Sequence, residues 1–239
     1  MPQGHYWPRC ETIGSLRLPQ KPRQMQHIKD LLDQEIGTLA TPTNIVISAS
    51  TRAATDFDFR FETFGEKKLC EMLAAAQDLV HDMATGAAPR WLSLLGRSGT
   101  GKTHLARGIS RFFNAEASIY IDPVTGAHLS RQGGFIGWRK IVDQLRNGDY
   151  GIMDAVCNDW FVALDDIGAE RASDFSVSKL DQIIDARLGK WTVITCNFTR
   201  EEIAEQMDVR IASRLSHANN VIVDNISVLD YSIRSKEVA

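Results

Sequence analysis

Gly96-Arg97-Ser98-Gly99-Thr100-Gly101-Lys102-Thr103 follows the pattern G-x-x-x-x-G-K-[ST], and the residues on either side of it decide what the pattern means. Before it, Trp91 to Leu95 is a short apolar run of strand type; after it, Leu105, Ile109 and Phe112 recur at helical spacing. A strand, a glycine-rich loop and a helix in that order form a phosphate cradle. The glycines let the backbone wrap tightly, and the helix directs its positive end at the anion. Phosphate contacts are expected over Gly96 to His104. Within that span Lys102 reaches the β- and γ-phosphates, and the Thr103 hydroxyl joins Asp165 as a ligand for Mg²⁺. The cofactors expected are therefore ATP and Mg²⁺.

Outward from the loop, apolar runs and helical patterns alternate. The expected strands are Trp91 to Leu95, Ala117 to Ile121, Trp160 to Leu164, Trp191 to Cys196 and Val221 to Val223. A helix over Glu66 to Met83 presents Leu69, Met72, Leu73, Ala76, Leu79, Val80 and Met83 on one face, and another carries Leu180, Ile183, Ile184 and Leu188. Strands that are apolar throughout and separated by helices predict an α/β fold with a parallel sheet covered on both sides.

Trp160-Phe161-Val162-Ala163-Leu164-Asp165-Asp166 delivers two carboxylates to the C-terminal end of a strand, where open α/β sheets bind their ligands. Asp165 is expected to serve the magnesium and Asp166 to orient and polarise the attacking water. Strand alternation predicts that the two point to opposite faces. Trp191 to Asn197 is a second buried strand ending in an amide, placing Asn197 where it can bond the attacking water or a γ-phosphate oxygen. Further on, Arg210 and Arg214 lie four apart and share a helical face with Asp208. Such a pair is either a solvated charged face or a source of guanidinium for ATP held by a neighbouring subunit.

The remainder sets limits. A formal net charge of −3 gives no global attraction to nucleic acid, so a DNA contact requires a local basic patch or an assembly. One local excess exists between Val124 and Gly148, where Arg131, Arg139, Lys140 and Arg146 face only Asp143, a net of +3. The four cysteines are scattered, which suits reduced thiols in a cytoplasm. No apolar run approaches the roughly 20 residues of a membrane-spanning helix. Pro2, Pro8, Pro19 and Pro22 break up the start, an amphipathic helix is expected over Gln24 to Ile36, and Thr38 to Thr55 reads as a linker. The division expected is an extension over 1–54 and a nucleotide-binding domain over 55–239.

Taken together, the phosphate loop, Leu164-Asp165-Asp166-Ile167-Gly168-Ala169-Glu170, Thr195-Cys196-Asn197, Arg210-Ile211-x-Ser213-Arg214-Leu215 and Asp230-Tyr231-x-Ile233-Arg234 resemble DnaC/IstB-like AAA+ ATPases, the branch of helicase loaders and transposition helpers. Phe61-Glu62-Thr63-Phe64 is similar to the segment this family places before its nucleotide core. The resemblance implies a five-stranded sheet in the order 5-1-4-3-2, no helical lid domain, and Walker A and B motifs at the loop and the aspartates. It also implies a sensor at Asn197 and an arginine finger at Arg214 with Arg210 beside it. As partners it implies single-stranded DNA, a replicative helicase (or, for a transposition helper, a transposase), and a homo-oligomer with ATP between subunits. A small-molecule kinase built on the same loop is the reading from another class; it needs an acceptor pocket and an arginine-rich lid, and the sequence displays neither.

Overall fold

The computed structural model describes residues 53–117, 119–121, 128–169, 173–231 and 233. By internal contacts the chain divides into Met1–Val46 and Ile47–Ala239, and the described residues all belong to the second unit. The helix expected over Gln24 to Ile36 lies outside them.

A five-stranded sheet organises this unit. Its strands are β1 (Trp91–Leu95), β4 (Gly133–Gly137), β5 (Phe161–Ile167), β6 (Trp191–Cys196) and β7 (Val221–Asp224), ordered β4-β5-β6-β1-β7 with every pairing parallel. Read from the other edge, with the five strands of this sheet numbered in chain order, this is 5-1-4-3-2, as expected. One strand assignment changes. Ile119–Ile121 (β2) does not enter the sheet; it pairs antiparallel with His128–Ser130 (β3) in a separate ribbon, and the edge position is taken by Gly133–Gly137. That strand carries three glycines and is only half-buried, so it lacks the apolar signal of its buried neighbours. Glycine is required at one place in it, because a Cβ on Gly133 would collide with the Phe161 backbone of β5.

Side chains alternate across the sheet and fill two cores. Leu92, Leu94, Phe161, Ala163, Trp191 and Val193 share one cluster with α1 (Lys67–Thr85) and α2 (Lys102–Phe112), while Trp91, Leu95, Val162, Leu164, Ile194 and Cys196 share the other with α3 (Trp138–Arg146) and α5 (Asp174–Ala186). The second cluster also takes in Val156 of α4 (Gly151–Asn158), Ile203 of α6 (Arg200–Gln206) and Leu215 of α7 (Val209–Leu215). Each fully buried Leu or Ile in these layers contributes about 1.5–3 kcal/mol.

Local chemistry sets the helix ends. α1 stops where Gly86 turns left-handed at φ 73° and its N–H donates to the Asp82 carbonyl. α6 begins in a reciprocal cap: the Thr199 hydroxyl accepts from the Glu202 amide at 3.1 Å, and the Thr199 amide donates to the Glu202 carboxylate at 2.7 Å. This cap fixes the turn immediately after β6. At the opposite end of the sheet, fully buried Arg187 donates to the carbonyls of Val156 and Trp191 at 2.7 and 2.5 Å and to the Thr192 hydroxyl at 2.9 Å, tying α4 to the start of β6. Burial pushes its guanidinium down to about 10, opposed by attraction to Asp159 and Cys157.

Candidate functional site

The loop between β1 and α2 lies at the C-terminal edge of the sheet, and three of its glycines hold left-handed backbone: Gly96 at φ 107°, Gly99 at 72° and Gly101 at 94°. Gly96 has a second constraint. A Cβ there would sit 2.7 Å from the Ile226 amide nitrogen and 2.8 Å from the Asn225 carbonyl carbon, in the turn that follows β7. The N-cap of α2 is Gly101, which offers no side chain to the first-turn amides. Those amides are therefore available to an anion.

Lys102 is buried, and its ammonium donates to the carbonyls of Gly96 (2.8 Å) and Arg97 (2.6 Å) and to Asn197 Oδ1 (3.0 Å). Burial lowers its pKa, and electrostatic interaction with Cys196, Asp166 and Asp165 pulls the other way. A partly desolvated cation inside a loop of this shape suits a polyphosphate.

Around Lys102 runs one connected hydrogen-bond network. Thr103 Oγ1 donates to Asp165 Oδ1 at 2.9 Å, and Thr195 Oγ1 donates to the same oxygen at 2.7 Å. The Asp166 amide donates to Thr195 Oγ1 at 2.8 Å, and Asn197 Nδ2 donates to Asp166 Oδ1, also at 2.8 Å. Asn197 thus links the lysine to the second aspartate, its oxygen toward the ammonium and its nitrogen toward the carboxylate. That orientation is the only one its two partners permit.

The two aspartates do not obey strand alternation. Between Leu164 and Ile167 the register of β5 against β6 slips by one residue, and Asp166 takes a left-handed φ of 60°. This bulge turns Asp166 back toward the loop, so both carboxylates join the network on one side, where alternation predicted opposite faces. Bulges are set by tertiary pairing, and nothing in Leu-Asp-Asp-Ile announces one.

A cavity of about 730 Å³ opens over this network, with Ser98 to His104, Asp166, Thr195 and Asn197 in its walls. Its far side comes from outside the loop: Arg60, Phe61 and Glu62 from the segment before α1, Arg107 from α2, and Tyr231 near the end of the chain. His104 lines the cavity and bonds the Phe59 carbonyl at 2.8 Å through Nε2, which attaches that segment to α2. The Tyr231 amide donates to the Gly99 carbonyl at 2.8 Å, and the Asp230 carboxylate packs directly against Gly99. Both flanking segments belong to stretches that carry the family resemblance, Phe61-Glu62-Thr63-Phe64 and the motif that begins at Asp230-Tyr231. Thr195 stands in the Thr195-Cys196-Asn197 motif with no role expected of it, yet its hydroxyl, two residues before Asn197, joins the same network.

Arg210 and Arg214 do not line this cavity. Arg214 is held by α5, pairing with Asp181 and Asp185 at 2.6 Å each, and its side chain is 22% exposed. Arg210, at 65% exposed, pairs with Asp208 at 3.0 Å and approaches Asp181 at 3.6 Å. In the basic stretch Arg139, Lys140 and Arg146 are exposed on α3, whereas Arg131 stacks over Trp160 with 4.1 Å from its guanidinium carbon to the ring centre.

Glycine cradle, buried lysine, hydroxyl and carboxylate pair, and polar strand end define a P-loop nucleoside-triphosphatase fold with the strand order of AAA+ ATPases. Among solved structures the fold is similar to that of a DnaC helicase loader, with a TM-score of 0.56 at 20% identity over 72% of this chain and 98% of that one. It is similar also to DnaI, with a TM-score of 0.54 at 16% identity over 73% and 91% of the two chains. A replication initiator DnaA bound to AMPPCP and single-stranded DNA superposes with a TM-score of 0.53 at 14% identity, over 70% of this chain and 49% of that structure. At these identities the likeness is one of fold. No protein-family model matches the chain, and no curated protein sequence does. Among the described residues no helix is long and apolar enough to cross a membrane.

Proposed function

We propose that this chain binds and hydrolyses ATP and acts in DNA replication as a DnaC-like helicase loader that binds single-stranded DNA. The observation that carries the ATPase part is the continuous hydrogen-bond series through Lys102, Asn197, Asp166, Thr195, Asp165 and Thr103 at the mouth of the glycine loop. A cavity of about 730 Å³ above it has room for a nucleotide. The replication part rests on the fold shared with DnaC, DnaI and DnaA.

In this reading the amides of Gly96 to His104 bind the phosphates, and Lys102 exchanges its loop carbonyls for β- and γ-phosphate oxygens. Mg²⁺ held by Thr103 and Asp165 would neutralise charge on the triphosphate. Asp166 accepts the proton of the attacking water, with its carboxylate steered by the Asn197 amide. Asn197, joined to both Lys102 and Asp166, reports the state of the γ-phosphate to the end of β6. Arg210 and Arg214 serve ATP bound by an adjacent subunit, since neither reaches the cavity of its own chain. Arg214 can do so only by exchanging its two aspartate partners on assembly, whereas the more exposed Arg210 has one short pair to release. The exposed cations of α3 are the candidate contact for DNA phosphates.

ATP turnover by the purified protein, alone, with single-stranded DNA and with a replicative helicase, tests the reading. Turnover that DNA and helicase both modulate is expected. Absence of MgATP binding refutes the site, and turnover indifferent to DNA and helicase refutes the loader assignment. Modulation by a transposase in place of a helicase assigns the chain to transposition help.

A further inference from the structure

We propose that Thr195 is a positioning residue of the hydrolytic centre, whose buried hydroxyl holds open the strand bulge that brings Asp165 and Asp166 to one side. The inference deepens the ATPase reading and rests on it.

A bulge leaves one residue of the longer strand without a ladder partner. In β5 Asp165 and Asp166 together stand opposite the single residue Thr195, and the main-chain N–H of Asp166, in a half-buried position, needs an acceptor. Its acceptor is Thr195 Oγ1 at 2.8 Å, a side-chain atom of the neighbouring strand in the place of a carbonyl. The polarity of this hydroxyl is determined. An amide can only donate, so Oγ1 accepts there and spends its single proton on Asp165 Oδ1 at 2.7 Å. One atom, 1% exposed at the level of its residue, therefore stabilises the unusual backbone at Asp166 and the rotamer of Asp165 together.

The consequence reaches the reacting groups. Thr195 and Thr103 both donate to Oδ1 of Asp165, and among the described residues Oδ2 has no hydrogen-bond partner in the protein. The carboxylate is thus held through one oxygen by two hydroxyls. Asp166 is treated alike, its Oδ1 held by Asn197 Nδ2. Without the hydroxyl the Asp166 amide loses its acceptor, and its left-handed φ of 60° loses the bond that compensates for it. A slip of β5 back into regular register would turn one carboxylate away from the loop.

Three proteins decide the matter: wild type, Thr195→Val, which keeps the shape and removes the hydroxyl, and Thr195→Ser, which keeps the hydroxyl. Two readouts are taken, hydrogen exchange at the Asp166 amide without nucleotide and steady-state hydrolysis of MgATP. Thr195→Val is expected to lose protection at that amide and to lower kcat on the order of 10²-fold, the scale of a misplaced catalytic group, with KM changed only a few-fold. Thr195→Ser is expected to retain both. Wild-type exchange and kcat in Thr195→Val overturn the proposal. Equal damage in the serine and valine variants also overturns it, by assigning the effect to packing. If Thr195→Val does not fold, Thr195→Ser and Thr195→Ala carry the same comparison, and equal exchange and kcat in those two overturn the proposal. A wild type that never turns over MgATP removes the ATPase reading, and the catalytic inference falls with it. Active wild type with an equally active valine variant removes the Thr195 inference alone.

Discussion

Asp166→Asn separates binding from hydrolysis in a single substitution. Asp166 Oδ1 accepts from Asn197 Nδ2 at 2.8 Å, and an amide oxygen in the same place still accepts. The substitution therefore keeps the contact and removes one charge and one proton acceptor. The exchange of a charged for a neutral acceptor costs about 1 kcal/mol of folding stability. For a domain of this size that lowers Tm by about 2–4 °C. Nucleotide affinity is expected to stay equal or tighten, because in the proposed reading the loop amides receive the phosphates, and a negative group has left the cavity wall. The chemical step has no such compensation. Loss of a general base lowers the rate about 10²- to 10⁴-fold, equivalent to about 2.7–5.5 kcal/mol of barrier. Calorimetric titration with MgATP, a thermal melt and a single-turnover measurement of phosphate release on the same preparation check all three. Single-turnover hydrolysis within about twofold of wild type, far below the general-base range, with binding intact, refutes the role of Asp166. Loss of binding in parallel with rate would move Asp166 from the chemical step to nucleotide capture.

Gly96→Ala is expected to cost about 2–5 kcal/mol, because strained φ and backbone collisions act together; Gly86→Ala, with φ 73° and no atom within 4 Å of its added Cβ, should cost only about 1–2 kcal/mol. Denaturant titration of the two variants checks the difference, and equal costs would contradict the close approach of the turn after β7 to the loop. The Cys196 thiol is raised by burial to about 11, so at pH 8 about one molecule in a thousand carries the thiolate, and iodoacetamide should leave it unmodified in the native protein. By linkage the unfolded thiol ionises first, near 9, so wild type should lose stability between about pH 9 and pH 11 relative to Cys196→Ala, by a few kcal/mol at most. Parallel pH dependence in the two proteins would place the thiol in contact with solvent. Finally, Lys102→Ala and Arg214→Ala subunits, each inactive alone, should recover part of the turnover when mixed, and no recovery would count against an arginine acting across a subunit boundary.

Much of the site was legible because it is written in contiguous residues. Gly96 to Thr103 carries its own conformational demands: glycines where φ is positive, a lysine at the helix start, a hydroxyl beside it. Trp160 to Asp166 and Trp191 to Asn197 each show a buried strand ending in a polar group, and the structure brings those ends together as chain order and sheet order imply. The edge strand was misplaced for an equally local reason. Ile119–Ile121 is apolar and β-prone, whereas Gly133–Gly137 is held by the backbone of β5 and by the fit of Gly133 against Phe161, neither of which leaves a hydrophobic trace. Arg214 had the spacing of a free guanidinium, yet its two aspartate partners sit on α5, about thirty residues away in sequence and adjacent only after α5 and α7 pack.

From the sequence alone came the class of fold, the parallel sheet, the phosphate loop and the identity of the acidic and amide groups around it, because each is encoded by short-range periodicity or by a backbone conformation only certain residues adopt. Only the tertiary structure decided that Asp165 and Asp166 face the same way, that Thr195 joins them, and that Phe61 and Tyr231 wall the cavity. Those relations depend on the register between strands and on contacts between distant segments, and a one-residue slip in a ladder changes them without altering a single residue type.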